Sequence, residues 1–471
     1  MSKLRRLVES RPLLTAYTIL LFLLCLFLVN DNSFWGDECY TIRLSQMTIS
    51  DMVRATSVDA HPPLYYIFTI IGQRLFGTVG WMYHIISVIP YVVVLVLSNT
   101  VILKKFGYGT AYLLVTLYSV LPNALEFNVE ARMYSWASLF VLLSFYYVLK
   151  ILNDDTLKNH LIFALFSLLA AYTHYYALLS VAFFYVAILI VAIIKKRNIG
   201  NVLITYAVTV VAYLPWVSVM FTTLFRTKDG WWLDYIEKIS DCLAFFFDVR
   251  NVYISVALLL LTIVLVIIHA VKKYNEISAW VIIGLSAAVL TLLVGQGASY
   301  LVRPFFLVRY LYPVSGVVWL VLSVMLGEDD SKWKSWIPYI VSATVVVLCV
   351  RTDKTIITSS RATNMRCGET VNDLNNRIDG SSSTESSIII SNNSHMNWTI
   401  LDYYFPDIEH SGSTDNLDKN MCYYLVWEGN LSDEQQNVFA EQGFEADKVF
   451  TDGVIGTTRV QIYELKYRED Y

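Results

Sequence analysis

Asp37 and Glu38 stand side by side in the stretch NSFWGDECYTIRL (residues 32–44), which begins where a long apolar run ends. An adjacent acid pair in that setting reads either as a solvated loop at the end of a membrane helix or as a catalytic carboxylate held at a membrane surface. Other ionisable residues recur at the edges of apolar runs: Asp59, His61, Glu126, Glu130, Arg132, His174, Arg303 and Arg309. Charged groups at membrane depth are expensive and usually functional. In DAHPPLYY (59–66) two prolines at the start of a helix restrict the backbone and hold His61 in place. In EFNVEARMYSW (126–136) Glu126 and Glu130 are four residues apart and share a face if the segment is helical. In RPFFLVRYLYP (303–313) two arginines straddle a turn, and guanidinium forks bind phosphate bidentately at any working pH. Acids and bases collected at one end of a helix bundle point to a polar cavity opening to one side.

The elements that must position these groups are membrane helices. Of 471 residues, 56% are hydrophobic and only 16% charged, against about 25% charged in soluble domains. A span needs about 20 apolar residues. Eleven runs qualify, roughly 13–30, 80–103, 108–125, 132–150, 160–174, 175–194, 201–220, 251–271, 279–299, 305–326 and 336–350. The first has no small-residue cleavage site after it and is expected to be an uncleaved helix rather than a signal peptide. Basic clusters mark the cytoplasmic side. They occur at Lys3/Arg5/Arg6/Arg11, Lys104/Lys105, Lys150/Lys158, Lys195/Lys196/Arg197, Lys272/Lys273 and Lys332/Lys334. All six share one side if eleven helices cross from a cytoplasmic amino terminus. Residues 63–77 are apolar but only about 15 long, so they are expected to dip into the outer leaflet, the alternative being a broken crossing. The acid pair then falls in an outer loop, 31–79, and the Trp231/Trp232 pair suits the headgroup level.

Residues 1–351 hold 26 Lys and Arg against 19 Asp and Glu, whereas residues 352–471 hold 9 against 20. The split predicts a basic membrane module (1–351) followed by an acidic outer domain (352–471). In the latter, SSIIIS (386–391), CYYLVW (422–427) and TRVQIYEL (458–465) read as strands. SHMNWTILDYYF (394–405) and SDEQQNVFAEQGF (432–444) read as helices, the second with Ser432 and Gln435 at capping-box spacing. A small α/β domain follows, joined through a polar linker at 376–387. The fold class is thus an all-α polytopic membrane protein with a small carboxy-terminal α/β domain. Six scattered cysteines show no zinc or redox spacing, although Cys367 and Cys422 could pair in an oxidising space. No cofactor or metal motif is found, and no basic face argues for nucleic acid.

The series FWGDECYT, AHPPLYYIF, RLFG, EARMYSWASLFVLLS, AYTHYYALLS and RPFFLVRYLYP, in that order over about residues 10–330, resembles bacterial membrane glycosyltransferases of the GT-C superfamily. Among these it is most similar to the group around protein O-mannosyltransferases and the lipid A aminoarabinose transferase. The resemblance implies an inverting transfer of a sugar from a polyprenyl-phosphate donor to an acceptor hydroxyl, on the extracytoplasmic side of the cell membrane. The acceptor would be a lipid, a glycan or a protein. It implies Asp37 as the catalytic carboxylate with Glu38 beside it, and places His61, Glu130, Arg132, His174, Arg309 and Tyr310 around the donor and its phosphate. A general base contributes about 10²–10⁴-fold to such a displacement, and cationic donors can stabilise the departing phosphate. Spacing does not say which acid is the base, since Glu38 could equally orient Asp37 or raise its pKa. The competing reading is a polytopic transporter or lipid-linked-sugar flippase. That reading expects internal repeats and charges spread through the bilayer, whereas here they gather toward one side.

Overall fold

The computed structural model describes residues 3–197, 199–229, 233–327, 334–380, 387–393 and 396–468. Trp231/Trp232, Lys332 and residues 381–386 of the expected linker lie outside the described residues. The chain forms two compact units. The first takes Met1–Leu28, Thr48–Phe68 and His84–Ile356, and the second takes Val29–Met47, Thr69–Tyr83 and Ile357–Tyr471.

The first unit is helical throughout. Among the described residues, seven helices are long and apolar enough to cross a membrane. One of them, Gly80–Val120, breaks at Gly107, whose φ of +85° is a left-handed conformation that glycine adopts without a Cβ clash. That break makes it two of the expected spans. Arg11–Leu26 and Leu157–Ala171 are shorter apolar helices, and the apolar start of Ile337–Gly380 completes the eleven runs seen in the sequence. The helix over Leu64–Phe76 has 13 residues, about 20 Å at 1.5 Å per residue, short of the roughly 30 Å hydrocarbon core.

Val308–Gly327 is the innermost stave, with 89% of its apolar stretch buried. Small residues let it come close to its neighbours. A Cβ on Gly316 would sit 1.7 Å from the Tyr118 hydroxyl, so only glycine fits there. The Tyr118 and Trp319 rings meet edge to face at 4.7 Å. Two buried polar contacts tie its surroundings together: Tyr312 donates to Asn128 at 2.9 Å, and the Trp280 indole donates to the Phe145 carbonyl at 2.7 Å.

The second unit is built on a five-stranded sheet of β1 (Ser387–Ser391), β2 (Glu409–Ser411), β3 (Cys422–Trp427), β4 (Phe444–Ile455) and β5 (Thr458–Tyr467). The strand order is β2-β1-β3-β5-β4. Its first three members pair parallel, and β3-β5-β4 run antiparallel. Tyr423, Leu425, Trp427, Phe439, Phe444 and Tyr463 fill one core under it. The Asp433–Glu441 helix opens on the expected capping box, with Ser432 and Gln435 satisfying each other's backbone N–H groups.

The early segments of this unit are knitted to the late ones. The Asn32 and Ser33 N–H groups donate to Asn364 at 2.8 and 3.2 Å. The Phe34 N–H donates to the Tyr404 hydroxyl at 2.9 Å, and Asp31 accepts the Trp81 N–H at 2.7 Å. Three expectations are corrected. The helix begun at Ile337 runs to Gly380, so residues 376–380 are helix rather than linker. Cys367, Thr370 and Leu374 recur at helical spacing as its buried stripe. Residues 396–404 form a π turn and a single α turn instead of one regular helix. Cys367 and Cys422 are both free thiols, and Cys367 donates to the Asn32 carbonyl at 3.0 Å.

Candidate active site

In the first unit the basic residues converge. His61 lies just before the Leu64–Phe76 helix, tied down by the Leu64 N–H, which donates to the Tyr172 carbonyl at 3.0 Å. Its Nδ1 is 3.7 Å from Asp59, a charge contact longer than a hydrogen bond. Burial alone would raise the Asp59 carboxyl, but His61, the Ala60 N–H and the charge of Arg132 together hold it below its usual range.

Glu130 and Arg132 sit in the turn between the Pro122–Phe127 and Tyr134–Asn153 helices. The shared helix face expected for Glu126 and Glu130 is therefore absent, because the first helix stops at Phe127. Glu126 instead pairs with Arg250 at 2.7 Å. Arg132 is buried and donates to the Tyr66 hydroxyl at 3.3 Å.

His174 caps the Tyr175–Ile194 helix, its Nδ1 accepting the Tyr176 N–H at 3.1 Å. An imidazole nitrogen that accepts a backbone N–H carries no proton, so the proton of the neutral ring is on Nε2. That Nε2 is buried and has no hydrogen-bond partner among the described residues. It is a donor awaiting an acceptor, since an unmatched buried donor costs about 1–3 kcal/mol.

Arg309 and Tyr310 belong to the 3-10 turn Val308–Leu311, which leads directly into Tyr312–Gly327. His61, Arg132 and Arg309 all lie close enough to act on His174. Glu130, Arg132, Arg309 and Tyr310 likewise act on Tyr134. Rings close the cluster: His174 is 5.7 Å from His61 and 5.4 Å from Tyr310. Tyr176 stacks on Tyr310 at 5.0 Å. A cavity of about 390 Å³ is lined by His61, His174, Tyr176 and Tyr310 together with Leu178, Leu179, Val294 and other apolar residues. Chemically, it can seat an aliphatic chain whose anionic head meets the imidazoles, with the charges of Arg132 and Arg309 close to His174.

The structure thus brings together six expected residues: His61, Glu130, Arg132, His174, Arg309 and Tyr310. Tyr134 and Tyr176 join them from inside the same sequence fragments, where only their neighbours had been singled out. Asp37 and Glu38 belong to the second unit, in the first turn of the Gly36–Ser45 helix. There the two acids differ. Glu38 is 4% exposed, and its Oε2 accepts the Trp35 N–H at 3.2 Å, so it works as a capping acid. Asp37 is half-buried.

No family model and no curated protein sequence matches the chain. Solved structures do. The apo form of ArnT from Cupriavidus metallidurans superposes with a TM-score of 0.62 at 11% identity, covering 96% of this chain and 97% of that one. The same protein bound to undecaprenyl phosphate gives 0.61 at 12% identity, with the same coverage. The chain has the ArnT fold. This agrees with the fold class read from the apolar runs and the tail patterns, an all-α polytopic membrane protein with a small carboxy-terminal α/β domain, and with the family that the motif series resembles. At 11% identity the ArnT fold survives here as a pattern of apolar helices rather than as a shared sequence.

Proposed function

We propose that this chain is an integral-membrane inverting glycosyltransferase, which takes a sugar from a polyprenyl-phosphate donor and passes it to an acceptor hydroxyl. The observation that carries this reading is the cavity of the first unit, whose lining is mostly apolar but includes His61 and His174, with the charges of Arg132 and Arg309 close enough to act on His174. The ArnT fold adds support, since ArnT itself has been seen with undecaprenyl phosphate bound. With every basic cluster on the cytoplasmic side, the amino terminus is inside and the second unit is extracytoplasmic.

The polyprenyl tail occupies the apolar length of the cavity. The phosphate receives the Nε2–H of His174 and the charges of Arg132, Arg309 and His61, while Tyr310 walls the head. Glu130 steadies the guanidiniums. By its place in the motif series, Asp37 is the residue assigned the proton of the acceptor hydroxyl, which is lost as that oxygen bonds to the anomeric carbon. The bond from that carbon to the phosphate oxygen breaks, and polyprenyl phosphate leaves with the electron pair. Charge builds on the departing phosphate, where preorganised cationic donors stabilise it most. Glu38 keeps the helix start that presents Asp37.

The test is incubation of the purified protein with a panel of polyprenyl-phosphate sugars. Asp37-dependent consumption of one donor is expected. If every donor is neither bound nor turned over, the transferase reading is wrong.

A further inference from the structure

The second unit contains a cavity of its own, of about 710 Å³, within the roughly 300–1,000 Å³ typical of ligand sites. Its lining differs from that of the first unit in kind. Asn32, Gln46, Asn372 and Asp402 contribute planar polar groups, and Tyr403 and Tyr404 contribute rings. The two rings meet edge to face at 4.7 Å. Sugars present hydroxyls at their edges and C–H groups on their faces, and in-plane amides beside aromatic rings satisfy both. We propose that this cavity binds uncharged sugar units of the acceptor, which makes the acceptor a neutral glycan chain. The proposal deepens the glycosyltransferase reading and rests on it.

Two observations narrow the ligand. The side-chain amides of Gln46 and Asn372 take no hydrogen-bond partner among the described residues. Each therefore offers two N–H donors and a carbonyl acceptor to whatever enters. The charge balance then rejects phosphate. Among the described lining residues Asp31 and Asp402 stand against Arg43, and Arg43 already pairs with Asp402 at 2.9 Å. An anionic ligand would meet a neutralised guanidinium and a surplus carboxylate, whereas a hydroxyl ligand meets usable donors and acceptors.

The placement suits an acceptor. Arg43 lies near the end of the Gly36–Ser45 helix and Gln46 caps it. The first turn of the same helix carries Asp37, about 9 Å away along the axis at 1.5 Å per residue. One short element thus carries both the candidate base and a wall of this cavity.

The experiment uses the full chain in detergent micelles and reads saturation-transfer NMR. The probes are free tetrasaccharides of glucose, mannose and N-acetylglucosamine, and a tetramer of glycerol phosphate. At least one neutral tetrasaccharide is expected to bind, with the glycerol phosphate tetramer at least tenfold weaker. A Gln46→Ala/Asn372→Ala double variant, altered only at exposed side chains, should lose tenfold or more in affinity at an unchanged melting temperature. Asn372→Trp, which fills the cavity, should lose binding altogether. The proposal is overturned if no neutral tetrasaccharide binds, if the phosphate tetramer binds better, or if both variants bind like the parent. Undecaprenyl phosphate is titrated in parallel. If it binds and the sugars do not, the acceptor site falls while the transferase reading stands. If the sugars bind but no polyprenyl donor is bound or consumed, the transferase reading falls instead.

Discussion

The Glu38 carboxylate accepts the Trp35 N–H at 3.2 Å and so separates two acids that adjoin in sequence. Glu38 is tied to the helix start, and the base proposed for the transfer is Asp37. Asp37→Asn should lower kcat by about 10²–10⁴-fold and leave the melting temperature unchanged. Glu38→Gln keeps an oxygen that can accept the Trp35 N–H, so activity should largely survive. Glu38→Ala should destabilise the protein by about 1 kcal/mol, the usual loss for a removed cap. Thermal unfolding and donor turnover, measured on all three variants, separate the roles. Equal losses of kcat for Asp37→Asn and Glu38→Gln would sink the assignment.

The buried Nε2–H of His174 gives a second prediction. A hydrogen bond to a charged acceptor contributes about 1.5–3 kcal/mol, so His174→Ala should weaken undecaprenyl phosphate binding by about 10- to 100-fold. His174→Gln, which retains an N–H donor, should lose less. Calorimetric titration of both variants decides it, and an unaltered affinity in His174→Ala would remove this residue from the donor site.

Gly295 lines the cavity beside the aromatic cluster. A Cβ there would stand 2.5 Å from the Phe306 ring and 3.0 Å from the Tyr176 ring. Overpacking of this kind costs about 1–3 kcal/mol and displaces both rings, of which Tyr176 lines the cavity. Gly295→Ala should lower the melting temperature by several degrees and cut lipid affinity severalfold. Gly297→Ala is the control, since a Cβ at Gly297 meets nothing within 4 Å.

Asp353 gives a pH dependence. Burial, and then the charge of Glu126, push its carboxyl up to about 7. The folded state therefore binds a proton that the unfolded state has released above pH about 4. Stability should fall as pH rises from about 4 through 7 and level off above, since fewer protons are bound on unfolding across that window. Asp353→Asn should flatten this slope and raise the melting temperature at pH 8. Melting curves from pH 5 to 8 test it, and parallel slopes in parent and variant would refute the linkage.

The membrane helices were legible because apolar runs about 20 residues long have few alternative fates. The basic cluster was legible because charge stands out in so apolar a chain. Three things were hidden. Ile337–Gly380 leaves its apolar start for a polar stretch whose helical stripe is only Cys367, Thr370 and Leu374, too sparse to register as a period. The β4 sequence FEADKVFTDGVI lacks clean alternation, and its pairing with β5 slips register at Lys448/Phe450 and Phe450/Gly453. The different settings of Asp37, half-buried, and Glu38, bonded to the Trp35 N–H, depend on helix phase, which composition does not carry. Glu126 and Glu130 failed as a pair for a similar reason, because their spacing has meaning only if the helix continues.

Inside the first unit, Val308–Gly327 is 89% buried while Gly200–Arg226 is only 22% buried. These two helices face different evolutionary tolerances. The outer one need only remain oily, so Leu, Val, Ile and Phe can replace one another there at little cost, whereas the inner one is fixed atom by atom at contacts such as Gly316 on Tyr118. A scaffold whose letters drift freely on the lipid side and are pinned only along one seam can keep its architecture long after its spelling has become unrecognisable.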